Sequence, residues 1–484
     1  MRRLGVLLAA AALALPTAAA AFPNQEPFAA KQWYLDQDNA WSFWQAQPDL
    51  GPVKVAVIDS GIDGSHPDLT GRVVAAKSFV GGSPYTDEQG HGTFVAGEIA
   101  ANPSNMAGIA GLAFNARLLV AKVVTASGDV SLPAEVAAIR WAVAQGARVI
   151  NLSLGGVRDP LDPKLDTYSP LEQSAIEYAY SRGVVVVAAV GNGPQSPATP
   201  WNYADYPAAL PHVIGVSAVR QDRSVPAYSN RDAVYNDLAA PGDNMFSTIP
   251  TNLVSEGGTC ANQPYSDCGP IEFRNAIGTS FAAPQVAAAA ALLLGQKPTL
   301  RPEQVSWLLE RSAADDTPAT GCPDCSAGRD ALSGWGTLDI ASALTVLTDG
   351  SPIPPPDAYE PNDDAGPWAH ALPPVPRTIG ATLDYWDDNI DVYRVPLRKG
   401  QTLYARLTPA AAAAVRLALW APGTQRVESL DLKNVRLAGS RRQGLQARLA
   451  YKARVGGTYY LEAKLVSPTR DPVQYRLALS RRSS

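Results

Sequence analysis

Ser280 stands in Gly278-Thr279-Ser280-Phe281-Ala282-Ala283-Pro284, directly ahead of an alanine- and leucine-rich run that ends at Gly295 and Pro298. Alanine and leucine are strong helix formers, so this composition predicts a helix with Ser280 at or near its start. Free backbone N–H groups and the positive end of the helix dipole favour negative charge there. Pro284 is tolerated in a first turn, where its missing N–H would have no partner. A serine so placed can act as a cap or as a nucleophile. As a nucleophile it needs an adjacent base, and the base needs an orienting carboxylate. Of the four histidines, His91 opens a helical segment in Gly90-His91-Gly92-Thr93, where flanking glycines leave the imidazole uncrowded. His66, His212 and His370 read as structural or surface residues. Asp59 closes an apolar run and supplies the candidate carboxylate.

These residues need elements to bring them together. β-Branched, apolar runs at residues 52–58, 116–124, 147–154 and 183–190 have the pattern of strands buried on both faces, and 212–219 is a further strand candidate. Helical spacing at 92–101, 133–145 and 169–181 separates them, and 302–312 and 338–347 add two more helices. This alternation predicts an α/β domain with a mainly parallel sheet and helices on both faces. Ligands of such sheets bind at the carboxyl ends of the strands, where Asp59, Ser153 and Asn192 all fall. Residues 22–50 form an aromatic arm with Trp33, Tyr34, Trp41 and Trp44, and the domain is expected to run over 22–347. A proline-rich linker covers 348–356. Short alternating runs at 391–397, 402–408, 415–420, 446–453, 458–465 and 474–479 then predict an all-β sandwich over 357–484.

The chain has 484 residues, 46% of them hydrophobic, and a formal net charge of −5, which gives no reason to expect a nucleic-acid partner. The charge is uneven: from Asp357 onward 19 Lys and Arg stand against 12 Asp and Glu. Arg2-Arg3, the apolar run 4–15 and the alanines 18–21 have the layout of a signal peptide over residues 1–21, cut after Ala20 or Ala21. The run is short for a membrane span. Export to the extracellular space or periplasm is therefore expected, as a monomer with no stable membrane span. The four cysteines suit an oxidising compartment. Three connectivities are open, and proximity favours Cys260 with Cys268 and Cys322 with Cys325. A redox or zinc pair at Cys322-Pro323-Asp324-Cys325 is the alternative.

The segments Val55-Ala56-Val57-Ile58-Asp59-Ser60-Gly61-Ile62-Asp63, Gly90-His91-Gly92-Thr93-Phe94-Val95-Ala96-Gly97 and Gly278-Thr279-Ser280-Phe281-Ala282-Ala283-Pro284 resemble, in that chain order, the aspartate, histidine and serine motifs of the subtilisin-like serine proteases. The resemblance covers about residues 23–347. It implies a subtilisin-like three-layer domain and a secreted endopeptidase acting through an acyl-enzyme: Ser280 as nucleophile, His91 as base and acid, Asp59 orienting the imidazole. It implies Asn192, in Gly191-Asn192-Gly193, as the side-chain donor to the oxyanion beside the Ser280 N–H. Ser153-Leu154-Gly155-Gly156 and Gly128-Asp129-Val130 resemble the two edges that sandwich an extended peptide by main-chain hydrogen bonds. Ala188-Ala189-Val190-Gly191 would line the pocket for the residue before the cut, its small walls suiting large apolar side chains. The resemblance also implies a structural calcium site, with no organic cofactor: Asp68, the Asn105 side chain, the carbonyls of Pro103, Ala107 and Ile109, and Glu26 or Gln25 from the arm.

Phe94 and Gln285 replace histidines usual in these motifs, and local packing changes are expected there. After the expected cut only 37 residues, Phe22 to Ile58, precede Asp59, too few for the inhibitory pro-domain common in the family. Asp357-Ala358-Tyr359-Glu360-Pro361-Asn362-Asp363-Asp364 and Asp391-Val392-Tyr393-Arg394-Val395 resemble the bacterial pre-peptidase C-terminal domain, a β-sandwich appended to secreted peptidases. Two other classes compete: an inactive homologue that binds through the β-module, and an esterase. The intact Asp59, His91, Ser280 and Asn192 argue against the first, and the peptide edge at 153–156 against the second.

Overall fold

The computed structural model describes residues 25–254, 271–355, 357–372, 376–385, 388–427 and 435–482. The signal-peptide segment and the Cys260–Cys268 pair lie outside the described residues. Seven strands, β1 (Val53–Asp59), β2 (Val73–Ser78), β3 (Ala116–Lys122), β4 (Val149–Leu152), β5 (Val185–Ala189), β6 (Val213–Val219) and β7 (Leu238–Pro241), form one parallel sheet in the order β2-β3-β1-β4-β5-β6-β7. β8 (Met245–Thr248) and β9 (Phe273–Ala276) make a separate antiparallel pair. The helices are α1 (Trp33–Gln37), α2 (His91–Ala100), α3 (Leu132–Ala144), α4 (Pro170–Ser181), α5 (Ala283–Gln296), α6 (Pro302–Ser312) and α7 (Ile340–Thr348).

Strand alternation builds the three layers. On β1, Val55 and Val57 join the core that contains residues of α2 and α5, whereas Ala56 and Ile58 join the opposite core with residues of α3 and α4. The arm residues Tyr34, Trp41 and Trp44 pack into the first core. Ser131 and Ser169 cap α3 and α4 by accepting the N–H groups of Ala134 and Glu172. α5 is buried from Ala283 to Leu294, which its alanine-rich surface permits.

Beyond residue 357 lie β10 (His370–Ala371), β11 (Arg377–Leu383), β12 (Ile390–Leu397), β13 (Thr402–Pro409), β14 (Val415–Trp420), β15 (Arg436–Gly439), β16 (Arg441–Gln443), β17 (Gln446–Lys452), β18 (Gly457–Leu465) and β19 (Val473–Arg482). They form two five-stranded sheets, β10-β12-β18-β14-β15 and β11-β19-β13-β17-β16, as a β-sandwich requires. The inward residues alternate as expected: β13 buries Leu403, Ala405 and Leu407 and exposes Tyr404 and Arg406. The sandwich touches the α/β part directly. The Arg426 guanidinium lies 3.7 Å over the Tyr168 ring and donates to the Tyr206 hydroxyl at 3.1 Å. Among the described residues no helix is long and apolar enough to cross a membrane. Cys322 and Cys325 form a disulfide, consistent with the sequence-based pairing.

Candidate active site

Asp59 ends β1 and His91 begins α2. His91 Nδ1 lies 2.8 Å from Asp59 Oδ1 and 2.9 Å from Oδ2. The Ser60 N–H also donates to Asp59 Oδ1, at 2.7 Å. This contact depends on glycine: a Cβ on Gly92 would come within 2.2 Å of the Gly61 carbonyl oxygen, so any side chain there would push α2 away from the aspartate turn. A second buried carboxylate, Asp87, fastens the same junction. It accepts hydrogen bonds from the Ser60 hydroxyl, the Gly90 and Thr93 N–H groups and the Thr93 hydroxyl at 2.7–2.8 Å. No motif or periodicity marks Asp87, which sits in the irregular segment before His91. Behind the imidazole, the Phe281 ring lies 5.3 Å from His91 and 4.5 Å from Phe94. Phe94 thus packs the back of the site, and Gln285 donates to the Phe281 carbonyl at 2.7 Å.

Ser280 lies in a 3-10 turn, Thr279–Phe281, that leads into α5. Its hydroxyl donates to the Ser153 carbonyl at 3.3 Å, and the Ser153 hydroxyl donates to the Ser280 carbonyl at 2.7 Å. Asn151 donates to the Ser153 hydroxyl at 2.9 Å, so the end of β4 is tied to the serine turn. Asn192 follows β5, and its Oδ1 accepts the Thr279 N–H at 3.0 Å. With the oxygen engaged, Nδ2 is the end of the amide left to donate.

Asp59, His91, Ser280 and Asn192 line one cleft of about 450 Å³. Of the expected peptide-binding residues, Gly128, Val130, Ser153, Leu154, Gly155, Ala189 and Gly191 line it as well. Four others do not. Ala188 and Val190 point into the core, because alternate residues of a strand face opposite sides and only Ala189 and Gly191 turn towards the cleft. Gly156 has its N–H and carbonyl paired with Tyr206 at 2.8 and 2.9 Å, so its backbone is already used. The Asp129 side chain accepts from the Ser127 hydroxyl at 2.7 Å, on the outside of its turn. A residue absent from the sequence reading, Asp205, also lines the cleft, beside Gly155 and Gly191.

Burial alone would lower the pKa of His91. The charge and hydrogen bond of Asp59, helped by the charge of Asp87, outweigh it and leave the imidazole above its ordinary value. Burial pushes the Asp205 carboxyl up to about 7.

The residues expected to hold calcium gather around the loop after α2. Asp68 Oδ2 accepts the Ile109 N–H at 2.9 Å, whereas its Oδ1 is buried with no hydrogen-bond partner. Glu26 reaches the same loop and accepts the N–H groups of Met106 and Gly108 at 3.1 and 3.3 Å. Asn105 Oδ1 accepts the Ala107 N–H at 3.0 Å. A Cβ on Gly108 would meet Asp68 Oδ2 at 2.7 Å, so the loop is shaped closely around that carboxylate. Two carboxylates and an orphaned oxygen fit a hard cation.

The subtilase family profile matches residues 51–336. Subtilisin DY of Bacillus licheniformis is 39% identical over 273 residues, which are 56% of this chain and 87% of that protein. Thermitase of Thermoactinomyces vulgaris is 35% identical over 276 residues, 57% of this chain and 86% of that protein. Among solved structures, a lanthipeptide protease superposes with a TM-score of 0.52 at 26% identity, covering 65% of this chain and 94% of that one.

Proposed function

The chain belongs to the subtilase family and is a serine endopeptidase of that kind; from this premise we propose that it is exported and cleaves proteins in extended conformation through an acyl-enzyme on Ser280. Ser280 Oγ attacks the scissile carbonyl while His91 Nε2 takes its proton. Asp59, bonded at Nδ1, holds the tautomer in which Nε2 carries the accepting lone pair, and it stabilises the imidazolium that forms. The tetrahedral oxyanion would receive hydrogen bonds from the Ser280 N–H and Asn192 Nδ2, a pair of donors that need not reorganise as charge develops. His91 returns the proton to the leaving amine, the carbon–nitrogen bond breaks, and the acyl group stays on Ser280. Water, deprotonated by His91, then attacks the ester carbonyl, the carbon–Oγ bond breaks, and His91 returns the proton to Ser280 Oγ as the acid leaves. Ser153, Leu154 and Gly155 on one wall and Gly128 and Val130 on the other would hold the substrate backbone between them.

The observation that carries this reading is the contact of His91 Nδ1 with the Asp59 carboxylate in a cleft that also contains Ser280 and Asn192. The test uses the full chain. It should hydrolyse casein, lose that activity as Ser280→Ala, and gain one covalent adduct on Ser280 from a serine-directed phosphonylating reagent. Unchanged hydrolysis by the Ser280→Ala protein would refute it.

We assign Asp68, Asn105, Glu26 and the carbonyls of Pro103, Ala107 and Ile109 to a structural calcium site, which would neutralise the clustered oxygens and stiffen the loop after α2. Residues 22–347 would make the peptidase domain and residues 357–484 an appended module of the pre-peptidase C-terminal type, on the strength of the motifs and the two sheets.

A further inference from the structure

The α/β part and the sandwich meet across a buried knot of acids. Glu177 on α4 and His212 ahead of β6 come from one side. Glu360, Asp363 and Asp388, all preceding β12, come from the other. His212 Nε2 lies 2.9 Å from Asp363 Oδ2, 3.4 Å from Glu360 Oε2 and 3.5 Å from Glu177 Oε2, and its ring stacks on Tyr180 at 3.6 Å. The donor atoms of Glu177, His212 and Asp363 all lie within 4.8 Å of one another, as do those of Glu360, Asp363 and Asp388, with Asp363 common to both sets.

Among the described residues, four carboxylates here face one imidazole, so a protonated His212 balances only part of their negative charge. Glu177 is 2% exposed and Asp388 5%. Glu177 Oε1, Glu360 Oε1 and Asp388 Oδ1 are buried and accept no hydrogen bond. Buried acceptors without donors are rare, and Glu177 accepts no hydrogen bond at either oxygen although its Oε2 faces His212 in the cluster. Ligand atoms no more than 4.8 Å apart can all reach one ion at calcium–oxygen bonds of roughly 2.3–2.6 Å.

We propose that this knot is a divalent-cation site built jointly by both parts of the chain, and that the bound ion clamps the sandwich onto the α4 side of the peptidase. The oxygen-rich set suits calcium, and the single imidazole also admits zinc. It is separate from the Asp68 site, whose ligands all precede Ala110.

The test strips full-length Ser280→Ala protein, chosen to prevent self-digestion, with a chelator and titrates it separately with Ca²⁺ and Zn²⁺. One of the two ions should fill one more site in this parent than in the version carrying Asp363→Asn. Glu177→Gln should weaken that site by at least about tenfold. The radius of gyration should rise on stripping and fall again on adding the ion. Circular dichroism identical to the parent shows that each variant is folded. Equal stoichiometry and affinity in parent and variants, for both ions, would overturn the site. Binding that responds to Asp363→Asn but not to Glu177→Gln, with no change in radius, would overturn the clamp.

Asp205 carries a second and independent inference, which rests on the peptidase reading. It is 6% exposed, and among the described cleft-lining residues it is the one acid besides Asp59. Its carboxylate accepts the Arg158 N–H, and Oδ1 is buried without a partner. It lies between the two glycine segments of the pocket: a Cβ on Gly191 would be 2.0 Å from Oδ2, and one on Gly155 would be 3.6 Å from the Asp205 Cβ. We infer that Asp205 selects a cationic side chain, Arg or Lys, on the substrate residue that precedes the cut. This revises the preference for large apolar side chains suggested by the small walls alone. With matched peptides differing only at that residue, kcat/KM should favour Arg over Phe by at least about tenfold, and Asp205→Asn should remove most of the difference. Preference for Phe, with hydrolysis still dependent on Ser280, would overturn the role of Asp205 and leave the peptidase reading intact. No hydrolysis of any peptide would overturn both.

Discussion

The Thr279 backbone N–H donates to Asn192 Oδ1 at 3.0 Å, and the Thr279 hydroxyl lies 3.2 Å from the same oxygen. One residue next to the nucleophile thus decides which end of the asparagine amide meets the substrate. Replacing Asn192 by Leu should lower kcat by about 10²–10³, the scale found when such a donor is removed from a subtilisin, with little change in KM. Steady-state kinetics on a single peptide would show it. Asn192→Asp should do no better, because an anion repels the developing oxyanion.

Activity should rise with pH as His91 loses its proton, since only neutral imidazole can accept the serine proton. Asp59 and Asp87 are the charged groups that raise its pKa, so the midpoint of the acid limb of kcat/KM should lie above 6.5. Asp87→Asn should move that limb to lower pH. A limb below 6.5 in the parent would contradict the arrangement.

Glu135 on α3 and Glu172 on α4 are buried together. Burial raises both carboxyls, and Glu172 reaches about 7. Folding therefore favours the protonated forms. The stabilisation is complete below the ordinary carboxylate pKa and is lost as pH rises towards 7. The melting temperature should fall between pH 5 and 8, and Glu172→Gln should flatten that fall, with a gain on the order of 2 kcal/mol at pH 8. Calorimetry across the range would measure it.

Chelation should lower the melting temperature by roughly 5–10 °C if the Asp68 site is filled well above its dissociation constant. Asp68→Asn should melt near the chelated parent and respond much less to the chelator. Scanning calorimetry of both proteins, with Ca²⁺ and without, separates this contribution from the interface site.

The parts readable in the sequence were those with strong local signals. Val53–Asp59 is a run of strand formers and is the interior strand β1, and the Ala–Leu run is α5. What escaped depends on partners distant in sequence. Gly156 is taken by Tyr206 fifty positions later, and Asp87 and Asp205 sit in irregular segments that no periodicity marks. Ala188 and Val190 were grouped with Ala189 although a strand turns every second residue away. β2 and β7 were missed because β2 is a half-buried strand at the edge of the sheet and β7, Leu-Ala-Ala-Pro, has little strand character. Among the histidines, His212 resembled any structural histidine, and only the folded chain brings it against Glu360 and Asp363.

The nucleophile's turn is continuous with α5, whose Ala283–Leu294 segment is solvent-free and receives the Asn115 amide at the Ala291 carbonyl. Such a rod has no local way to loosen. Heat should therefore silence this enzyme in a single step: turnover and the bulk of the α/β core should vanish at one temperature, with no interval in which a folded but idle protein accumulates.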